Sequence, residues 1–459
     1  MSGATSYWAA QALLGDRIES RVRITAAADG TISSVAAGVD ATAVDTVLSG
    51  VVHPGAVNAH SHAFHRLLRG RTHGDGGSFW TWRDLMYREA LRLDPPRYEE
   101  VATAVYAEMV AAGWTSVAEF HYVHHRPDGT PYSEPHAMER ALARAATTAG
   151  IRLTLLDTCY LTGGIGEPLS AEQTRFGDGS IDGWLGRLGD LRRTIASEFD
   201  PARITVGAAL HSVRAVPAAA LSVVSAELDP SIPLHMHVSE QPAENEQCLR
   251  ATGLTPIGLL EARGLLSTRF SAVHATHLSP EDIELLGAAG STVVMCPTTE
   301  ADLGDGIGSA RALSDAGAVI ALGTDQHAVV DPLLEARALE HGERLGSGRR
   351  GRFSPAELLR ALGEGGSAST GRRAGRIEEG LPCDLLEIDP ATARTAGSEA
   401  GQLVLSATAG DVATVVVAGQ VIARGGVHAA LGEVGALLAA ATGRAETNPS
   451  EQSGQRERR

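Results

Sequence analysis

Aromatic residues are scarce. Phe, Tyr and Trp make up 4% of the 459 residues, so the apolar content of 43% leans on Ala and Val. Cysteine is scarcer still: Cys159, Cys248, Cys296 and Cys383 lie far apart and form no C-x-x-C pair. That spacing excludes a disulfide framework and a cysteine-based structural zinc site, and it points to a reducing compartment, the cytoplasm. Positive charge is outweighed, with 39 Lys and Arg against 55 Asp and Glu, a formal net charge of -16. A phosphate backbone needs compensating cations, so nucleic acid is excluded as a partner. An anionic small molecule is not, because a pocket can be locally basic inside an acidic protein. No apolar run approaches the ~18 residues of a membrane span. The start, Met1-Ser2-Gly3-Ala4, has no basic segment followed by an apolar one, so no secretory signal is expected.

What is present is regular. Eight short apolar runs alternate with helix-like stretches: 51–58, 114–120, 151–157, 204–211, 233–239, 271–275, 292–296 and 318–324. Strands alternating with helices imply parallel pairing, and eight of them predict a closed (β/α)₈ TIM-like barrel. Polar residues stand at the C-terminal ends of the runs: Glu119-Phe120-His121, His211, His237, His274 and Asp325. In such a barrel those ends meet on the face where catalysis occurs. Residues 20–38 read as a hairpin turning near Asp29-Gly30, and 384–388 and 412–422 read as strands. Neither flank has enough apolar surface to stand alone. The chain therefore divides into a small β-sandwich domain from 1–50 and 378–440, a barrel of the metal-dependent hydrolase type over 51–377, and a disordered polar tail over 445–459. The Gly-rich stretch 363–371 reads as a loop, and it lacks the Lys-Ser/Thr ending of a phosphate cradle.

The chemistry concentrates in His60-Ser61-His62 at the end of the first barrel run. Side chains alternate along a strand, so histidines at i and i+2 share a face and can hold one ion. An isolated H-x-H is a weak signal. Here His237, with Glu240 three residues on, His274 and Asp325 end other strands. Three nitrogen ligands and one carboxylate suit Zn²⁺ or Fe²⁺ with a position left for water. His277 competes with His274, which sits directly at the strand end; His235 shares a face with His237 but lies deeper and reads as a core histidine. His121, His124 and His125 read as solvated loop residues or as support for the site.

On these residues the sequence resembles the amidohydrolase superfamily and, within it, the formimidoylglutamate deiminase family. The superfamily likeness rests on His60-Ser61-His62, His237-x-x-Glu240, His274 and Asp325. The narrower one rests on the run from Ser78-Phe79-Trp80-Thr81-Trp82-Arg83 to Tyr87, Glu119-Phe120-His121-Tyr122-Val123-His124-His125, His211-Ser212-Val213-Arg214, Cys296-Pro297-Thr298-Thr299-Glu300 and Leu303-Gly304-Asp305-Gly306. The resemblance implies one metal per subunit, usually zinc, held by His60, His62, His237 and Asp325. It implies catalytic roles for Glu240, His274 and Asp325, and substrate contacts from Arg83, Tyr122, His211 and Arg214. It also points to a homodimer. The family's His-Ser-His-Ala-Phe-Gln becomes His60-Ser61-His62-Ala63-Phe64-His65, so the substrate-contacting glutamine is replaced by His65. The family's Gly-Ser-Asp-Ser-His becomes Gly323-Thr324-Asp325-Gln326-His327, which spares the ligand.

The reaction implied is hydrolytic deamination of N-formimino-L-glutamate to N-formyl-L-glutamate and ammonia, a step of histidine degradation. A bound metal lowers the pKa of water to about 7. Asp325 would accept a proton, Glu240 would pass one to the leaving nitrogen, and His274 would orient the attacking oxygen. Two arginines suit the two carboxylates of a dicarboxylate amidine substrate, because the guanidinium fork binds a carboxylate bidentately. The run Phe79-Trp80-Thr81-Trp82 reads as a lid or anchor for Arg83. The competing readings are a deaminase of a guanine- or cytosine-like base, and a non-catalytic scaffold on the same barrel.

Overall fold

The chain enters its barrel one residue after leaving a second sheet, and the whole architecture follows from that crossing. The computed structural model describes residues 5–72 and 79–443. The tail expected over 445–459 and Ser78 lie outside them, as do the side chains of Phe79, Trp80 and Thr81.

Strands β1 (Thr5–Leu14), β2 (Arg17–Ala26), β3 (Ile32–Ala36) and β4 (Thr46–Pro54) come first. The β2–β3 pairing is the anticipated hairpin; β1, which the sequence reading did not single out, pairs antiparallel with β2 and parallel with β4. The eight barrel strands follow: β5 (Ala56–Ser61), β6 (Trp114–His121), β7 (Arg152–Cys159), β8 (Ile204–Leu210), β9 (Leu234–Val238), β10 (Phe270–His274), β11 (Thr292–Met295) and β12 (Val319–Leu322). They form one parallel sheet in sequence order, β5 to β12. A parallel bridge between Ser61 and Asp325 joins its two edges, so the sheet closes as a (β/α)₈ barrel. The apolar run 51–58 is therefore two strands. Its first half belongs to β4, and Gly55 carries the chain into the barrel because a side chain there would lie 2.3 Å from Thr115 Oγ1.

The C-terminal strands β13 (Leu385–Ile388), β14 (Val412–Val417), β15 (Gln420–Arg424), β16 (Val427–His428) and β17 (Gly432–Glu433) complete the second sheet. The run 412–422 turns at Ala418-Gly419, so it is a hairpin and not a single strand. The sheet order is β17-β16-β15-β14-β13-β4-β1-β2-β3, mixed and nine-stranded, with β13 and β4 stitching the two termini together. A separate apolar cluster that includes Tyr7, Val22, Ile24, Leu48, Val52, Leu385 and Val416 backs it. The buried Arg152 on β7 grips Asp384, at 2.7 and 3.1 Å, which locks the barrel to this sheet. Both partners must be present, since either alone would be an uncompensated buried charge.

Helix α1 (Phe79–Leu91) carries Arg83, and α2 (Pro95–Ala112) and α3 (Ala137–Ala149) cover β6 and β7. The stretch 363–371 is helical, not a loop: a π-helical turn over Ala361–Gly365 runs into a helix over Gly366–Thr370. Its glycines answer a packing demand. A Cβ on Gly365 would sit 2.0 Å from the Ile320 carbonyl, so only glycine lets this segment lie against the N-terminal ends of the barrel strands. There Ser369 meets the barrel interior, its carbonyl accepting from His235 Nε2 at 2.8 Å, which makes His235 the core histidine anticipated. Among the described residues no helix is long and apolar enough to cross a membrane.

Gly365→Ala should lose about 2 kcal/mol of unfolding free energy, the usual cost of overpacking a rigid core. Urea denaturation checks this. A stability equal to the parent's would show that the close approach is not rigid.

Candidate metal centre and active site

His60, His62, His237, His274 and Asp325 converge at the C-terminal mouth of the barrel. His60 lies on β5 and His62 just past it; His237 is on β9, His274 ends β10, and Asp325 follows β12. The Nε2 atoms of His60 and His237 are 3.1 Å apart and those of His62 and His237 are 3.3 Å apart. Asp325 Oδ1 lies 3.4 Å from the Nε2 of both His60 and His62. His274 Nε2 lies 4.0 Å from Asp325 Oδ2. His277 is not among the residues whose ligand atoms converge.

The hydrogen bonding of these rings decides what they can hold. His62 Nδ1 donates to the Phe120 carbonyl at 2.8 Å, and His237 Nδ1 donates to the His211 carbonyl at 3.0 Å. Burial, reinforced by the neighbouring histidines, pushes His60 and His237 well below the ordinary histidine range and His62 to about 3. His62 and His237, neutral with Nδ1–H committed to carbonyls, present Nε2 lone pairs to one another. The lone pairs of His62 and His237, 3.3 Å apart, repel unless a cation lies between them, so this donor set fits a divalent metal. Nitrogen-rich ligation with one carboxylate favours zinc or iron over magnesium or calcium.

The backbone at this mouth is strained. Ser239, His274, Ala275, Asp325 and His327 all have φ between +41° and +65° without being glycine. Such conformations cost about 1–3 kcal/mol each and persist where the surroundings dictate them. They turn the chain sharply at the tips of β9, β10 and β12, which aims His274 and Asp325 inward.

Two carboxylates flank His274. Glu300 Oε1 lies 3.5 Å from its Nδ1 while accepting from the Cys296 amide at 2.9 Å. Burial opposes charge on His274, but Glu240, Glu300 and Asp325 overcome it and raise the ring to about 10. Burial also raises Glu240 above the ordinary carboxylate range, opposed by His274 and Arg214. A carboxyl held toward its protonated form beside a cationic imidazole is equipped to donate protons.

Above this group a cavity is walled by His65, Trp82, Arg83, Tyr87, Tyr122, Tyr160, His211 and Arg214. His65 Nε2 lies 3.1 Å from the Tyr122 hydroxyl. The His211 ring packs 4.4 Å from that of Tyr160 while its carbonyl steadies His237. Arg214 donates to Glu244 Oε2 at 2.8 Å and lies 3.8 Å from Glu240. Arg83 and Arg214 also line a larger outer opening, so both guanidiniums stand on the path from solvent to the histidines.

The structure also places residues the sequence reading did not single out as functional. Glu244 holds Arg214 with one oxygen and the Ser239 amide with the other. Its only signal was a position four residues past Glu240. Glu300 sat within a quoted motif without an assigned task. One expectation is corrected: His121 and His124 are not solvated loop residues. Both are buried behind β6 against Glu139, at 3.4 and 2.8 Å, on the side away from the cavity. His125 is partly buried on Asp178 at 3.2 Å. The helix α3 covers them, which no local pattern could reveal.

The chain matches the sequence model of the Amidohydrolase family over residues 51–422. It is 36% identical over 441 residues to a formimidoylglutamate deiminase of Pseudomonas aeruginosa, covering 93% of this chain and 96% of that one. An 8-oxoguanine deaminase of the same organism is 29% identical over 80% of this chain and 81% of its own. A crystal structure of an amidohydrolase from Brucella melitensis superposes with a TM-score of 0.88 at 33% identity, covering 96% of this chain and 99% of that one.

Chelator-stripped protein should take up one zinc per chain, and His237→Ala should bind it about 100-fold or more weakly. Isothermal titration with zinc measures both; equal affinity in the variant would remove His237 from the ligand set.

Proposed function

The chain belongs to the amidohydrolase family, and from that premise we propose that it hydrolyses the C–N bond of N-formimino-L-glutamate, giving N-formyl-L-glutamate and ammonia. The observation that carries this reading is the pairing of Arg83 and Arg214 over one cavity whose floor is the histidine cluster. Two cationic forks suit a substrate with two carboxylates, and a flat neutral base needs neither. The likeness to a formimidoylglutamate deiminase over nearly the whole chain supports it. Histidine degradation is the setting such a reaction implies, and the cytoplasm is the compartment four unpaired thiols suit.

His60, His62, His237 and Asp325 are the residues we assign to a single zinc. The ion, when bound, supplies Lewis acidity and lowers the pKa of a water to about 7. The remaining work falls to side chains. Arg83 and Arg214 bind the carboxylates, with Tyr122, His65 and His211 as neutral partners, and set the amidine carbon above Asp325. Asp325 takes the proton as water attacks that carbon. His274, cationic among its carboxylates, donates to the oxygen on which negative charge develops. Glu240 delivers a proton to the departing nitrogen, so the C–N bond breaks with ammonia, not amide anion, as leaving group. A C–O bond has replaced a C–N bond with no change of oxidation state.

Purified protein should release ammonia from N-formimino-L-glutamate and not from guanine, 8-oxoguanine or cytosine; the reverse pattern would transfer the assignment to a base deaminase. Asp325→Asn should keep the fold, read by circular dichroism, and lose at least ~1,000-fold in turnover, the proton-transfer and electrostatic contributions together. Arg214→Met should raise KM at least ~10-fold, the loss of a charge-assisted carboxylate contact. An unchanged KM would remove Arg214 from substrate binding.

A further inference from the structure

The barrel strand that carries His60 is out of register where it matters. Asn58 on β5 lies opposite Val117 on β6, yet Ser61 lies opposite Glu119, three steps on one strand against two on the other. The extra residue is a β-bulge, which frees backbone groups from the ladder and re-aims side chains. Something other than the ladder has to hold the chain beyond it.

Glu119 does so. Its side chain is fully buried, with Oε2 2.7 Å from Ser61 Oγ and Oε1 2.6 Å from the Ala63 amide. Those two donors flank His62. The next residue along β6 supplies the Phe120 carbonyl that receives His62 Nδ1–H. Two consecutive residues thus hold the turn at three points.

The hydrogen bonds feeding Glu119 also have one consistent direction. Asn58 Nδ2 donates to Thr324 Oγ1 at 2.7 Å, and that hydroxyl, 2.9 Å from His327 Nδ1, donates onward. His327 Nε2–H then faces Ser61 Oγ at 3.2 Å, and Ser61 spends its own proton on Glu119. The chain links β12, one residue from Asp325, to β5 and ends on the carboxylate. Both Glu119 oxygens are therefore acceptors, a pattern an amide of the same shape cannot reproduce.

We propose that Glu119 is a positioning residue of the metal centre: by accepting from both neighbours of His62 and closing the chain from β12, its carboxylate sets the direction in which His60, His62 and Asp325 face one another. This rests on the reading of those three as metal ligands. Glu119 touches neither ion nor substrate in this role; it acts through the residues it holds.

The test is Glu119→Gln, read by zinc competition against a chromophoric chelator and by the melting temperature of the metal-free protein. Zinc affinity should fall about 10- to 100-fold, the range for residues that orient metal ligands. The metal-free melting temperature should stay within about 2 °C of the parent's, since the entropy of unfolding grows with chain length and a small loss moves the midpoint little. Ser61→Ala, which spares the carboxylate and its Ala63 contact, should weaken zinc less. The double variant should bind no worse than Glu119→Gln alone, because both act through one chain. If Glu119→Gln does not fold, the affinity loss in Ser61→Ala carries the test. Parent-like zinc affinity, or a metal-free melting temperature falling in step with affinity, overturns the proposal. Parent protein that binds no zinc would sink the ligand assignment itself and this inference with it.

Discussion

Repulsion between the Nε2 lone pairs of His62 and His237, 3.3 Å apart beside His60, is the constraint on which this site rests. His60, His62 and His237 are buried and neutral, and two of them have spent their ring N–H on backbone carbonyls. Rings in that state have no hydrogen bond to offer one another. The fold holds them together because β5 and β9 end at one point and the seam between β5 and β12 is closed by backbone bonds. The Thr324 and Asp325 amides donate to the His60 carbonyl at 3.0 Å, and the His62 amide donates to the Asp325 carbonyl at 3.1 Å. Gly323 makes the seam possible, since a Cβ there would lie 2.8 Å from that of His60. The arrangement is costly alone and is relieved by a cation, which couples metal binding to the order of the site.

Around that centre the charges are arranged in layers. Asp325 adjoins the histidines, Glu240 and Glu300 bracket His274, and Arg83 and Arg214 stand farther out. A chain with a net charge of -16 presents two guanidiniums on the route to its histidine cluster. An anion approaching an acidic protein needs a locally positive entrance, and low-dielectric walls strengthen its attraction there. Arg214 is held by Glu244 at 2.8 Å and stands 3.8 Å from Glu240.

The barrel was legible because its strands are short apolar runs bounded by turn residues, and because polar residues recur at one end of each. The departures share a cause. The run 51–58 looks like one strand because apolar residues continue across Gly55, where the chain changes sheets. The glycines of 363–371 mimic a loop because glycine signals flexibility locally, whereas here it permits contact with the Ile320 carbonyl. His121 and His124 resemble solvated residues until α3 is laid over them. In each case the missing information was the partner surface.

Spacing and residue type alone determined the eight-stranded alternation, the histidine pair at i and i+2, and the set of side chains at strand ends, since these depend only on the period of a strand and the chemistry of a donor atom. Tertiary structure decided which of those side chains converge, which ring nitrogen each presents, and which buried carboxylates hold them. Glu119, Glu244 and Glu300 face partners 26 to 58 residues away along the chain, through contacts that exist only once the strands have come together. Periodicity carries no information about such contacts, because they depend on distances between elements and not on order within one.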